Sequence, residues 1–276
     1  MQMKLGEDKT KAVVKLNKQG LVIVADTTFF SHANGLTVFR SPHLKKNVWW
    51  QATIHERAEI YLKGKNHLEQ NGYAIKAVVL DGRMGIRGVF AGIPTQMCHF
   101  HQKQIVKRRL TTRPKLEASR ELKTITDTLP KTNEQTFTAE LFAWNEKWKD
   151  FLKQKTTDLN TGHWFYTHKK VRATYRSLKT NLPYLFTYQK YPELNIPNTT
   201  NSLDGFFNRL KSLVFVHRGL KPKRRMKIIV EILKGRNDLT SPTNFAIKPY
   251  LLKRKTLLSI YPKYLIPIST PIAKQI

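Results

Sequence analysis

Apolar residues recur along this chain with two different periods. Leu21-Val22-Ile23-Val24-Ala25 is an unbroken, largely β-branched run that ends on Asp26, and the run from Ala74 to Leu80 ends on Asp81-Gly82. Runs of this length and composition predict buried strands. Residues 37–40 and 48–51 predict two more strands, separated by Ser41-Pro42 and Lys45-Lys46. Over 53–71 the pattern turns helical: Ile54, Ala58, Tyr61, Leu62 and Leu68 share a face, and Asn71-Gly72 is a stop signal. A short strand is expected at 96–98.

From about 102 to 190 the helical period takes over. Ile105, Val106 and Leu110 form one stripe. Leu116, Leu122, Ile125 and Leu129 form a second, and Phe137, Leu141, Trp144, Trp148 and Leu152 a third. A fourth, basic helix is expected over 169–180. After the break at Pro197-Asn198-Thr199-Thr200-Asn201, the residues Leu203, Phe206, Phe207, Leu210, Leu213 and Val214 predict a last amphipathic helix. A three-strand meander followed by a crossover to further strands is the order of a ribonuclease-H-like mixed sheet. The expected class is therefore α/β, with that sheet interrupted by an all-helical insertion. The boundaries follow: an N-terminal remnant at 1–20, the first part of the core at 21–101, the insertion at 102–195, a last core helix region at 196–240 and a basic, proline-containing tail at 241–276.

Charge changes the picture next. The 276 residues carry 49 Lys and Arg against 19 Asp and Glu, a formal net charge of +30. Such an excess favours phosphate backbones as partner, although a basic RNA-binding protein without a catalytic site fits the charge alone. The single cysteine, Cys98, excludes an internal disulfide framework and points to a reducing compartment. No apolar run reaches membrane-span length and no signal peptide is recognisable at the N-terminus, so a cytoplasmic, nucleoid-associated protein is expected.

In so basic a chain, acids at strand ends need a reason. Asp26 and Asp81 on neighbouring strands would offer the hard oxygen ligands that Mg²⁺ or Mn²⁺ takes in phosphoryl transfer. The plain alternatives are a hairpin turn at Asp81-Gly82 and a loop start at Asp26. Asp204, in the first turn of the last helix, is the third candidate ligand, or else a capping-box acid with Asn201 as N-cap. Glu193 is the nearest upstream substitute. Cys98-x-x-His101 lacks the second cysteine of an ordinary zinc site and reads as a core thiol with a bonded histidine. Trp144 and Trp148 read as core, and Trp164 beside a loop as a stacking surface for an unpaired base. Lys103, Lys107, Arg108, Arg109, Lys169, Lys170, Arg172 and Arg176 are the candidate nucleic-acid contacts on solvated helix faces.

Taken together, a strand ending in Asp, a strand ending in Asp-Gly, Cys-x-x-His, a helical insertion, and Asn-Thr-Thr-Asn-x-acid-Gly before an amphipathic helix resemble the catalytic domain of Mutator-like (MULE-type) transposases of bacterial insertion sequences, over about residues 20–235. The resemblance implies that Asp26, Asp81 and Asp204 are catalytic acids and metal ligands. It implies that Cys98 and His101 are a structural or DNA-organising motif, and that transposon ends and target DNA are the partners, with a homo-oligomer allowed and no membrane. Two features depart from the family: the third acid is usually Glu, and members usually carry an N-terminal DNA-binding module where only about twenty residues precede the first strand here. A truncated element, a partner-dependent protein or a decayed copy are the readings this leaves. The rivals are a ribonuclease-H-like nuclease that cuts without joining and a catalytically dead, transposase-derived nucleic-acid-binding protein.

Overall fold

The computed structural model describes residues 20–31, 34–215 and 219–235. The N-terminal remnant and the tail at 241–276 lie outside these residues. The described chain is α/β with a mixed five-stranded sheet. Strands β1 (Leu21–Ser31), β2 (Asn34–Ser41) and β3 (Lys46–Thr53) form the expected meander. Helix α1 (Ala58–Gln70) then crosses to β4 (Ile75–Leu80), and the short α2 (Met84–Val89) leads to β5 (Thr95–Met97). The order across the sheet is β3-β2-β1-β4-β5. β1 runs parallel to β4 and β4 to β5, while β1, β2 and β3 pair antiparallel.

Buried on both faces, β4 explains the continuous apolar run that announced it. Side chains of alternate residues enter two different cores. Val22, Val24, Leu36, Val38, Ala77 and Val79 pack under α8 (Asn201–Phe215), through Leu203, Phe206, Phe207 and Leu210, and under α9 (Pro222–Gly235) through Ile229 and Leu233. Leu21, Ile23, Ala25, Val78 and Leu80 face Tyr61 and Leu68 of α1 and Ile86 of α2. A one-residue slip of β1 would exchange these two sets, so the register is firmly specified.

The middle of the chain is helical, as expected, with one exception. Helices α3 (His99–Leu110), α4 (Glu117–Asp127), α5 (Glu134–Lys153), α6 (Lys169–Leu185) and α7 (Thr187–Lys190) enclose their own core of Val106, Leu122, Phe137, Leu141, Trp144 and Leu178, which meets the sheet at Met97. Trp144 is buried and Trp148 packs partly against it, as read from their spacing. The exception is a hairpin of β6 (Lys155–Thr157) and β7 (Trp164–Tyr166) inside the span expected to be all helix. Two other elements also differ. The helix expected over 53–71 begins only at Ala58, because β3 runs on to Thr53 and leaves Ile54 exposed. β1 does not end on Asp26 but continues to Ser31, pairing with β2.

A seam of buried polar groups joins the helical layer to β5. The Gln96 amide donates to Leu185 O at 2.8 Å and accepts the Tyr188 N–H at 3.0 Å. Thr187 Oγ1 donates to Thr95 O at 2.7 Å, and His99 Nε2 bonds Leu185 O at 2.6 Å. Asn181 donates to Gln102 Oε1 and accepts from Arg87, both at 2.9 Å. In a dry interface such bonds fix one docking geometry, because each group left unmatched costs its desolvation. Replacing Gln96 with Leu strands the Tyr188 N–H and one bond to Leu185 O. Gln96→Leu is therefore expected to lower the unfolding free energy by about 2 kcal/mol, read as a lower urea midpoint at an unchanged slope.

Candidate metal centre

The parallel register between β1 and β4 builds the site. Ile23 lies opposite Val78 and Val24 opposite Val79. Two residues further on, β4 has ended at Leu80 while β1 continues, and Asp26 and Asp81 face each other across the end of the parallel ladder. Alternation puts both on the face of Val24 and Val79, the side covered by α8. Asp81 is not in a hairpin. Its Oδ1 accepts the Arg83 N–H at 3.1 Å, Gly82 takes φ +96°, and α2 follows. A Cβ on Gly82 would stand 2.5 Å from Met97 Cε, so this turn favours glycine for both its backbone and its packing.

The third acid is Glu56, which the sequence analysis missed. It comes from the loop between β3 and α1, a stretch expected to be helix. Oxygens of Asp26, Glu56 and Asp81 lie within 4.8 Å of one another. Tyr61 Oη donates to Glu56 Oε1 at 2.6 Å and sits 3.2 Å from Thr27 Oγ1, which anchors the loop to β1. Arg83 bridges the acids, with Nη1 2.8 Å from Glu56 Oε2 and Nε 3.3 Å from Asp81 Oδ2, although its own side chain remains 57% exposed. The one signal for Glu56 was a lone acid between a strand and a helix, five residues before Tyr61.

Asp204 is outside this group. It lies in the first turn of α8, where its Oδ2 accepts from Thr200 Oγ1 at 3.0 Å. Thr200, not Asn201, is the residue whose carbonyl receives the first N–H groups of the helix, from Leu203 and Asp204. Thr200 in turn is tied to Cys98: its N–H donates to Sγ at 3.3 Å and its hydroxyl lies 3.4 Å from the same sulfur. Cys98 is buried, three residues before His101. A chain of contacts therefore runs from Asp204 through Thr200 to Cys98. Glu193 is exposed and also stands outside the acidic group.

Electrostatics mark the site as under-neutralised. Burial pushes the Asp26 carboxyl up to about 7, with Asp81 and Glu56 adding to the rise and the Thr27 N–H and His101 opposing it. Burial raises Glu56 as well, against Tyr61 and Arg83. The bond to Cys98 lifts His101 to about 9, and Asp26 and Asp81 contribute in the same direction. For Cys98, burial would raise the thiol, but the bonds with His101 and Thr200 bring it below its ordinary value. Three convergent carboxylates, one raised chiefly by burial, suit a divalent cation: the group can bind a metal ion, and oxygen donors alone favour a hard one.

The candidate DNA contacts divide. Arg109, Lys169, Arg172 and Arg176 line a groove of about 520 Å³ together with Gly82 and Tyr166. Lys103 is instead paired with Asp127 at 3.2 Å, and Lys107, Arg108 and Lys170 are exposed outside the groove lining. Among the described residues no helix is long and apolar enough to cross a membrane. No protein-family model matches the chain, and no curated protein matches it.

Three outcomes follow from the charge balance. The folded state binds the Asp26 proton more tightly than the unfolded chain between about 3.8 and about 7. That contribution favours folding at the acid end and is lost as the pH rises through about 7, so Asp26→Asn should flatten the fall in urea midpoint across this window. Mn²⁺ must displace the same proton, so its affinity by calorimetry should rise about tenfold per pH unit up to about 7. Arg83→Ala should tighten Mn²⁺, because this side chain competes for Glu56 and Asp81. Unchanged affinity would show that Arg83 does not occupy the ion's place.

Proposed function

We propose that the chain is the catalytic domain of a Mutator-like DNA transposase, a ribonuclease-H-like enzyme that cleaves transposon ends and joins them to target DNA with Mg²⁺ or Mn²⁺. The observation that carries the reading is the convergence of Asp26, Asp81 and Glu56 where the β1–β4 ladder ends, in a chain of net charge +30. The sheet order β3-β2-β1-β4-β5 with a parallel β1–β4 pair supports the fold assignment. The cationic groove beginning at Gly82, next to Asp81, supports a polyanionic substrate.

Asp26, Asp81 and Glu56 would hold the cation. Bound there, divalent ions supply charge neutralisation on the phosphate and activation of the attacking oxygen. The protein's own contribution is positioning. Groove cations hold the backbone, and protonated His101 offsets the acids from the Cys98 side. Asp204, linked through Thr200 to Cys98, serves as a positioning acid in this arrangement, with direct ligation left to Glu56.

One observation favours a second reading. Arg83 already spans Glu56 and Asp81, as it would in a structural cluster of a catalytically dead, transposase-derived DNA-binding protein. Mutation separates the two. In a metal-dependent enzyme Asp26→Asn, Asp81→Asn and Glu56→Gln each lower Mg²⁺-dependent cleavage of DNA at least a hundredfold without weakening DNA binding, whereas Asp204→Asn causes a smaller loss. Cleavage that survives all three would reject the site, and a parent protein inactive with every divalent ion would establish the dead-protein reading. Both readings expect DNA binding to weaken by about a thousandfold between about 50 and about 200 mM salt, measured by anisotropy.

A further inference from the structure

The β6–β7 hairpin has a composition that the sheet and its acids do not require. Its three consecutive aromatics, Trp164, Phe165 and Tyr166, each carry a cation on the ring. Lys155 Nζ lies 3.8 Å from the Trp164 centroid, Lys169 Nζ 3.7 Å from Phe165, and the Arg172 guanidinium 3.5 Å from Tyr166. Trp164 belongs to none of the three apolar cores and is 56% exposed. It is not loosely held, however. Lys155 steadies one side, and Tyr166 packs edge-on with ring centroids 5.5 Å apart.

Position gives this indole a use. Strand alternation places Trp164 and Tyr166 on the same side of the hairpin. Tyr166 lines the groove that Arg109, Lys169, Arg172 and Arg176 make positive, and Gly82, the neighbour of Asp81, is a further lining residue. The groove has no lining carboxylate; through Gly82 it touches the residue after Asp81, and through Tyr166 it touches the strand whose solvent-facing indole, Trp164, lies on the same side. Phosphate contacts interleaved with stacking rings are the means by which proteins hold nucleic acid that is not base-paired. A duplex keeps its bases stacked on one another and offers an indole no free face.

We propose that Trp164 and this groove form a binding site for an unpaired DNA strand, whose backbone lies on Arg109, Lys169, Arg172 and Arg176 and one of whose bases stacks on Trp164. The inference rests on the reading of the chain as a DNA enzyme and adds to it the form of DNA held beside the acids.

The test uses the full chain in EDTA, so that no cleavage is involved, with a single-stranded oligonucleotide containing 2-aminopurine and the blunt duplex of the same sequence. The wild-type protein should quench 2-aminopurine in the single strand. Trp164→Ala should abolish the quenching and weaken single-strand binding by about five- to a hundredfold, while duplex binding stays within about twofold. Trp164→Leu, which keeps apolar bulk without a π face, should lose as much as Ala, and Trp164→Phe should keep most of the affinity. Arg176→Ala should weaken both substrates. Single-strand binding unaffected by Trp164→Leu, or an equal loss on duplex, would overturn the stacking site. A protein that stacks unpaired DNA yet never cleaves with any divalent ion would uphold this site and reject the enzymatic reading. Cleavage that depends on Asp26 but is indifferent to Trp164 in both assays would do the reverse.

Discussion

The parallel pairing of β1 with β4 is the constraint on which the rest depends. After a one-residue register shift at Leu21, the two strands run in step from Val22 opposite Ala77 to Val24 opposite Val79, and the next residues on that face are Asp26 and Asp81. Neither acid is free to avoid the other, because moving one would turn Val22, Val24, Ala77 and Val79 out of their core. Burial of about six β-branched and aliphatic side chains, each contributing on the order of 1.5 kcal/mol or more, thus holds together two carboxylates that repel. Hydrophobic packing supplies the free energy that this electrostatic crowding costs.

The crowding is incompletely relieved within the protein. Arg83 reaches in from solvent and His101 opposes the rise, yet burial, with Asp81 and Glu56 adding to it, pushes the Asp26 carboxyl up to about 7. Groups whose ordinary ionisation is suppressed by neighbours are common at sites that bind or transform charge. The same imbalance distinguishes this cluster from the surface pairs on α4 and α5, such as Lys147 with Glu121, where solvent screens both partners.

Legibility in the sequence followed the strength of the local signal. β1, β4 and the buried stripe of α8 were readable because long apolar runs and a helical apolar face have few alternative explanations, although of the six residues expected on that face Leu213 is exposed. Asp26 and Asp81 were readable with them, being attached to those runs. Glu56 was not, because Ile54 imitated a helical core position and drew 53–57 into α1; tertiary pairing of Thr53 with Gly35 decided otherwise. The β6–β7 hairpin was hidden for a different reason. Its strands have three residues each, Lys-Thr-Thr has no apolar member, and pairing across a six-residue loop leaves no periodicity to detect. Asp204 was placed correctly in the first turn of the helix, and there its carboxylate accepts from Thr200.

Both ends of the helical segment meet at one point. The His99 N–H donates to Asn198 O at 2.9 Å, and Thr200 clasps Cys98 one residue away. About a hundred residues thus leave the sheet and return to it through neighbouring backbone. Closing a longer or shorter excursion across so small a gap changes the free energy slowly, by about 0.6 kcal/mol for each doubling of length. The helical layer is in this sense an exchangeable cassette: it can be enlarged, trimmed or replaced, and the β6–β7 hairpin with it, without disturbing the register that brings Asp26 and Asp81 together.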